Sequence, residues 1–125
     1  MTLASCDVVA FAPTLDLDRA VWFYRDVLGL PLTSRDGFAA AFDAHGITLR
    51  VTPVPKLAPH PFTMLGWHVA DIAATARELI GKGVVFERYP GLEQNELGTW
   101  SAPGGTYVMW FKDPDGNLLS LSQSA

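Results

Sequence analysis

Two aspartates, Asp16 and Asp71, stand 55 positions apart, and each precedes a run of apolar residues at helical spacing. An aspartate so placed accepts a hydrogen bond from an otherwise orphaned first-turn amide, so both read as helix N-caps. After Asp16 the apolar positions are Leu17, Ala20, Val21, Tyr24, Val27 and Leu28, widened by Trp22 and Phe23 and stopped by Gly29. After Asp71 they are Ile72, Ala76, Leu79 and Ile80, stopped by Gly81 and Gly83. A short apolar strand precedes each helix: Val8 to Ala12, expected to be buried on both faces, and Met64 to Val69. Strand-length runs follow each: Leu30–Arg35, Phe38–Phe42 and Ile47–Thr52 in the first half, then Val84–Arg88, Gly98–Ala102 and the closing strands in the second. The chain is one βαβββ unit written twice. Two copies at so long a period exclude a solenoid. The expected fold is α+β, with paired βαβββ modules over residues 2–52 and 63–124 of a single domain, 1–125. Residues 53–62, with four prolines, are a linker. Each sheet should bury one face under its helix and leave the other open, and two such sheets enclose a trough.

The closing hairpin sets the register of the second sheet. Trp110-Phe111-Lys112 and Leu118-Leu119-Ser120-Leu121 flank Asp113-Pro114-Asp115-Gly116-Asn117, where Pro114 presets a turn and Gly116 supplies positive φ. A type I turn closed by a glycine bulge pairs Asp113 with Asn117 and Trp110 with Ser120. Phe111, Leu119 and Leu121 then face the helix, and Trp110, Leu118, Ser120 and Ser122 form a mixed face where a ligand can sit.

Composition narrows the partners. Nine Lys plus Arg against 13 Asp plus Glu, a net charge of −4, leave no basic stripe for nucleic acid or an anionic membrane. The one cysteine, Cys6, cannot form an internal disulfide. With no charged-then-apolar segment at the start, a reducing cytoplasm is the expected location.

The string from Thr14 to Tyr24, followed by Leu28-Gly29-Leu30, and the string Phe111 to Asn117 together resemble the vicinal oxygen chelate superfamily. This is the family of glyoxalase I, bleomycin resistance proteins and extradiol dioxygenases. The resemblance spans the whole chain and implies paired βαβββ modules, commonly a homodimer, around a cavity that in the enzymes holds a divalent metal. Carried over by distance from the motifs, the usual ligand positions fall on Val9, Arg50, Met64 and Ser120. Valine, arginine, methionine and serine do not supply the imidazole, carboxylate or thiolate donors that such metals need. The expectation is therefore no metal and no cofactor, and a trough that binds a small aromatic or drug-like molecule, as bleomycin resistance proteins do. The alternatives are a glyoxalase- or dioxygenase-type enzyme with a non-standard site, and a protein-interaction module with a vestigial trough.

Particular residues follow from strand alternation. His68 shares a face with Met64 and is the candidate acid or base, since its charge changes near neutral pH; the competing role is a strand histidine with one hydrogen bond. Arg50 could bind a carboxylate or phosphate through its planar fork, or pair with an acidic neighbour such as Asp43. Phe11, Trp100 and Trp110 supply aromatic walls, and with Arg50, Met64, His68 and Ser120 complete the expected ligand-binding set. Trp22 and Trp67 are assigned to the core. Glu93 and Glu96 lie in an acidic loop that is either a gate or simply solvated.

Overall fold

The computed structural model describes residues 2–125. They form two compact units, one ending at Ala58 and one running Pro59–Ala125. The first contains β1 (Val9–Thr14), α1 (Leu17–Val21), β2 (Leu32–Arg35), β3 (Ala40–Ala44) and β4 (Ile47–Pro53). The second contains β5 (Leu65–His68), α2 (Ile72–Gly81), β6 (Trp100–Ser101), β7 (Tyr107–Lys112) and β8 (Leu118–Gln123). The strand orders are β1-β4-β3-β2 and β5-β8-β7-β6, the same connectivity twice. In each sheet the first strand pairs in parallel with the last and the remaining pairs are antiparallel.

Both caps form. Asp16 accepts from the Arg19 amide at 3.2 Å and Asp71 from the Ala74 amide at 3.0 Å. Beyond the first helix turns the two units differ. From Trp22 to Val27 the first helix widens to a π-helical turn, in which the Leu28 amide donates to the Phe23 carbonyl five residues back at 2.9 Å. The widened turn buries Phe23, Tyr24 and Val27 together and leaves Trp22 49% exposed, so Trp22 is not a core residue. On α2 the buried residues are Ile72, Ala76 and Leu79, whereas Ile80 faces solvent.

The helix-facing side of each sheet carries the core: Ala40, Phe42, Leu49 and Val51 in the first, Met109, Phe111, Leu119 and Leu121 in the second, all buried. Residues directly paired across strands point to the same side. The opposite side of β1 carries Val9 and Phe11, both exposed, so this strand is buried on one face and not on two. Fully burying such side chains would contribute about 1.5–3 kcal/mol each, which this face of the unit forgoes.

Two further departures have local causes. The stretch Val84–Arg88 pairs only at Phe86, bridged to Phe111 with the Glu87 amide donating to the Trp110 carbonyl, after which the chain turns away. The proline segment is divided: Pro53 ends β4 and the Val54 amide donates to the Thr14 carbonyl, while Pro59 and Pro61 belong to the second unit. Proline is compatible with the end of a strand because no further ladder bond is needed there. The last hairpin has the expected register. Trp110 pairs with Ser120. The Asp113 amide donates to the Asn117 carbonyl, and Gly116, at φ 86°, donates to the Asp113 carbonyl. The buried Asp113 carboxylate accepts from the amides of Asp115 and Asn117 and from the Asn117 side chain at 2.8–3.0 Å, which makes this motif a structural clasp.

Candidate functional site

The open face of the second unit is built from two rows of paired residues. Gly66 on β5 lies beside Ser120 on β8, which lies beside Trp110 on β7. In the adjacent row His68 pairs with Ser122, Ser122 with Val108, and Val108 with Trp100 on β6. Trp100 and Trp110 stack with centroids 5.9 Å apart and planes 30° apart, and Tyr89 meets Trp110 edge-on at 5.5 Å. These three rings make a continuous aromatic strip. Gly66 keeps the floor beside it low, since a Cβ there would lie 2.4 Å from the Ser120 hydroxyl oxygen.

Tyr89 and Trp100 belong to irregular chain and a two-residue strand, yet both are held firmly. The Gln94 side chain accepts from the Tyr89 amide at 2.8 Å and donates to the carbonyls of Glu87 and Gly98 at 3.0 and 2.8 Å. Asn95 accepts from the amides of Leu97 and Thr99 at 3.0 and 2.9 Å. Arg88 donates to the carbonyls of Asn95 and Glu96 at 2.7 and 2.6 Å. Polar residues of this loop therefore replace the missing strand pairing and fix Tyr89 against Trp110.

At the turn end of the same face a cavity of about 350 Å³ lies between the segment Pro59-His60-Pro61 and the residues Tyr89, Lys112 and Leu118. The segment crosses close over the hairpin: a Cβ at Gly116 would sit 3.2 Å from Pro59. Leu118, on the open side of the sheet, is nonetheless buried, and the strap beside it accounts for that. Lys112 pairs with Glu87 at 3.3 Å. Burial, and secondarily the charge of Glu87, push the Tyr89 phenol above its ordinary pKa, so it stays a protonated donor. A second cavity, also about 350 Å³, is lined by Tyr89 together with Arg88, Leu92 and Gln94.

Of the residues expected at the site, Trp100, Trp110 and Ser120 come together. Met64 stands just before β5, half-buried, its amide donating to the Leu118 carbonyl at 2.8 Å. His68 is exposed at the end of β5. Its Nε2 lies 2.9 Å from the Ser124 hydroxyl and accepts from the Ser124 amide at 3.3 Å, so the nitrogen a base would use is already engaged. Phe11 and Arg50 are directly paired on the open face of the first unit. Arg50 forms no salt bridge among the described residues, since the Asp43 carboxylate accepts instead from the Gly46 amide at 2.8 Å. Tyr89, Lys112 and His60 were not expected. Lys112 could have been found, because it alternates with Trp110 on β7; Tyr89 and His60 sit in segments without a period, and only tertiary structure brings them to the cavity.

Among the described residues no three His, Cys, Asp or Glu side chains gather into a group able to hold a metal ion. No helix among them is long and apolar enough to cross a membrane.

Known proteins share both sequence and fold. A probable lactoylglutathione lyase of Vibrio cholerae is 26% identical, over 87% of this chain and 83% of its own length. The crystal structure of TnmS3, an antibiotic binding protein from Streptomyces sp. CB03234, superposes with a TM-score of 0.74 at 22% identity and covers 100% of both chains. A lactoylglutathione lyase from Agrobacterium tumefaciens superposes with a TM-score of 0.71 at 20% identity, covering 98% of this chain and 96% of that one. Residues 7–121 match the sequence profile of one family across both units, and the chain belongs to the glyoxalase/bleomycin resistance protein/dioxygenase superfamily.

Proposed function

We propose that this protein binds a small planar aromatic molecule, without a metal, on the open face of its second unit. The aromatic strip carries this conclusion: Tyr89, Trp110 and Trp100 stand in contact beside the low floor of Gly66 and Ser120, while the helix side of the same sheet is already filled. Stacking and burial against such a strip suit a flat ligand. The likeness to an antibiotic binding protein agrees with a binding role. The lyase names among the relatives point instead to catalysis, which the family resemblance ties to a metal. Against that stands the donor set: Val9, Arg50, Met64 and Ser120, on which the resemblance places the metal ligands, offer no usual donor, and His68 has its Nε2 engaged.

The test is a thermal-shift screen of planar aromatic acids and natural-product antibiotics, with and without a chelator. A ligand at a hundredfold over its dissociation constant adds about 2.7 kcal/mol, a readily measured rise in midpoint. The expected rise is the same in both buffers. A stoichiometric divalent metal in the purified protein, whose removal lowers the midpoint and abolishes ligand response, would replace binding with a metal-dependent reaction.

A further inference from the structure

The cavity under the proline strap is chemically one-sided. Of the groups that line it, Lys112 alone carries a full charge and no Asp or Glu contributes, the nearest carboxylate to the lysine being that of Glu87, 3.3 Å from its Nζ and outside the lining. Tyr89 adds a hydroxyl held in its protonated form. Every polar side chain there can donate to an anion. Lys112 does have a partner, Glu87, but the lysine is half-exposed and such a pair is weak, so its ammonium, with three donors, can serve a second acceptor as well. The strap is composed to hold its shape: Pro59 and Pro61 fix two backbone angles, and His60 stacks on Phe62 at 4.9 Å with planes 10° apart.

The cavity also adjoins the aromatic strip. Tyr89 belongs to both, and Lys112 is two residues from Trp110 on the same side of β7, about 7 Å along the strand. That separation is roughly the length of one aromatic ring with its substituent. We propose that the strap cavity seats a carboxylate on one end of the ligand, with Lys112 as its counter-charge, while the ring system lies on Trp110 and Trp100. The ligand class is thereby an aromatic acid and not a neutral polycycle. This rests on the aromatic face being a binding face, and the test separates the two.

The probes are 2-naphthoate and its uncharged analogue 2-naphthamide, titrated into the whole protein with tryptophan fluorescence as readout. The natural sequence should bind the acid at least fivefold more tightly than the amide. Lys112→Met should lower acid affinity five- to twentyfold and leave amide affinity within twofold, and Lys112→Arg should restore most of the preference. Trp110→Ala should weaken both probes alike. If Lys112→Met changes neither probe, or both equally, while Trp110→Ala still weakens both, the carboxylate seat is wrong and the aromatic face stands. If neither probe binds the natural sequence, or Trp110→Ala leaves both unchanged, the aromatic face falls and the seat with it. Lys112 is half-exposed, so unchanged denaturation midpoints should accompany its variants.

Discussion

The two units have the same strand order, and position by position they agree on one face and differ on the other. On the helix side Phe42 corresponds to Phe111, Leu49 to Leu119, Val51 to Leu121 and Ala40 to Met109, and all eight are buried. On the open side Phe11 corresponds to Gly66, Arg50 to Ser120 and Ala41 to Trp110. Each of these three pairs changes chemical character. A face pressed against a helix must be apolar and of fixed volume, because interiors are close-packed and each lost methylene is felt. The open face has no such constraint and can carry whatever its surroundings require. In the first unit a large aromatic side chain and a cation project outward, whereas in the second the floor is lowered to glycine and serine and the aromatic surface stands beside it.

The largest effects should therefore be equal in the two units. Phe42→Ala and Phe111→Ala should each cost about 3–5 kcal/mol of stability, read from urea midpoints. A cost below 1 kcal/mol for either would mean that the covered faces are not equivalent after all. Next comes Trp110→Ala. It should cost about 1–3 kcal/mol in affinity for a planar aromatic ligand and much less in stability than Phe111→Ala, because its ring meets Tyr89 and Trp100 on the open side and not the core. If Trp110→Ala unfolds the protein while Phe111→Ala does not, the two sides have been assigned the wrong way round.

This asymmetry also explains what the sequence revealed. The caps Asp16 and Asp71, the helix-facing Phe111, Leu119 and Leu121 and the bulged hairpin obey local rules of period and turn chemistry, and all were legible. The π-helical turn at Trp22–Val27 was not, because an α-helix and a π-helix bury nearly the same residues and only packing against the sheet decides between them. Nor was Gln94, a glutamine in an acidic loop, which turns out to make three hydrogen bonds that hold Tyr89 in place. The strap cavity was hidden for a similar reason. Residues 59–61, 89 and 112 come from three separate segments and meet only in the fold. Among the expected site residues, Trp110 and Ser120 share the face that the hairpin register gave them, whereas Phe11 is exposed on a strand expected to be buried on both faces, and the second unit's open face acquired its depth from irregular chain that has no period to read.

A smaller effect is expected at Phe11, which is 63% exposed. Phe11→Ala should change stability by no more than about 0.5 kcal/mol at low protein concentration, as for other surface substitutions. The comparison sharpens if a larger loss emerges only as concentration rises. That result, checked by sedimentation, would show that the open face of the first unit is covered by a second copy of the chain and that its aromatic residue serves assembly.

The smallest effect concerns the cation of the first unit. Asp36, in the connection between β2 and β3, accepts from the amides of Phe38 and Ala39 at 2.7 and 3.0 Å. These two bonds hold its carboxyl below the ordinary pKa, with the Arg50 guanidinium adding a smaller push in the same direction. A carboxylate with a lowered folded pKa contributes stability that is complete above its ordinary value. That contribution is lost as the pH falls through the lowered one. Asp36→Ala should thus reduce the midpoint slightly at neutral pH and flatten its fall below about pH 4, the range set by an ordinary aspartate. Arg50→Ala should do less: it should raise the Asp36 titration a little, seen by carboxyl NMR, and leave aromatic-acid binding within twofold, since the ligand seat belongs to the other unit. If Arg50→Ala abolishes that binding while Lys112→Met does not, the working cation lies on the first unit's open face. The division of labour between the two faces would then be reversed.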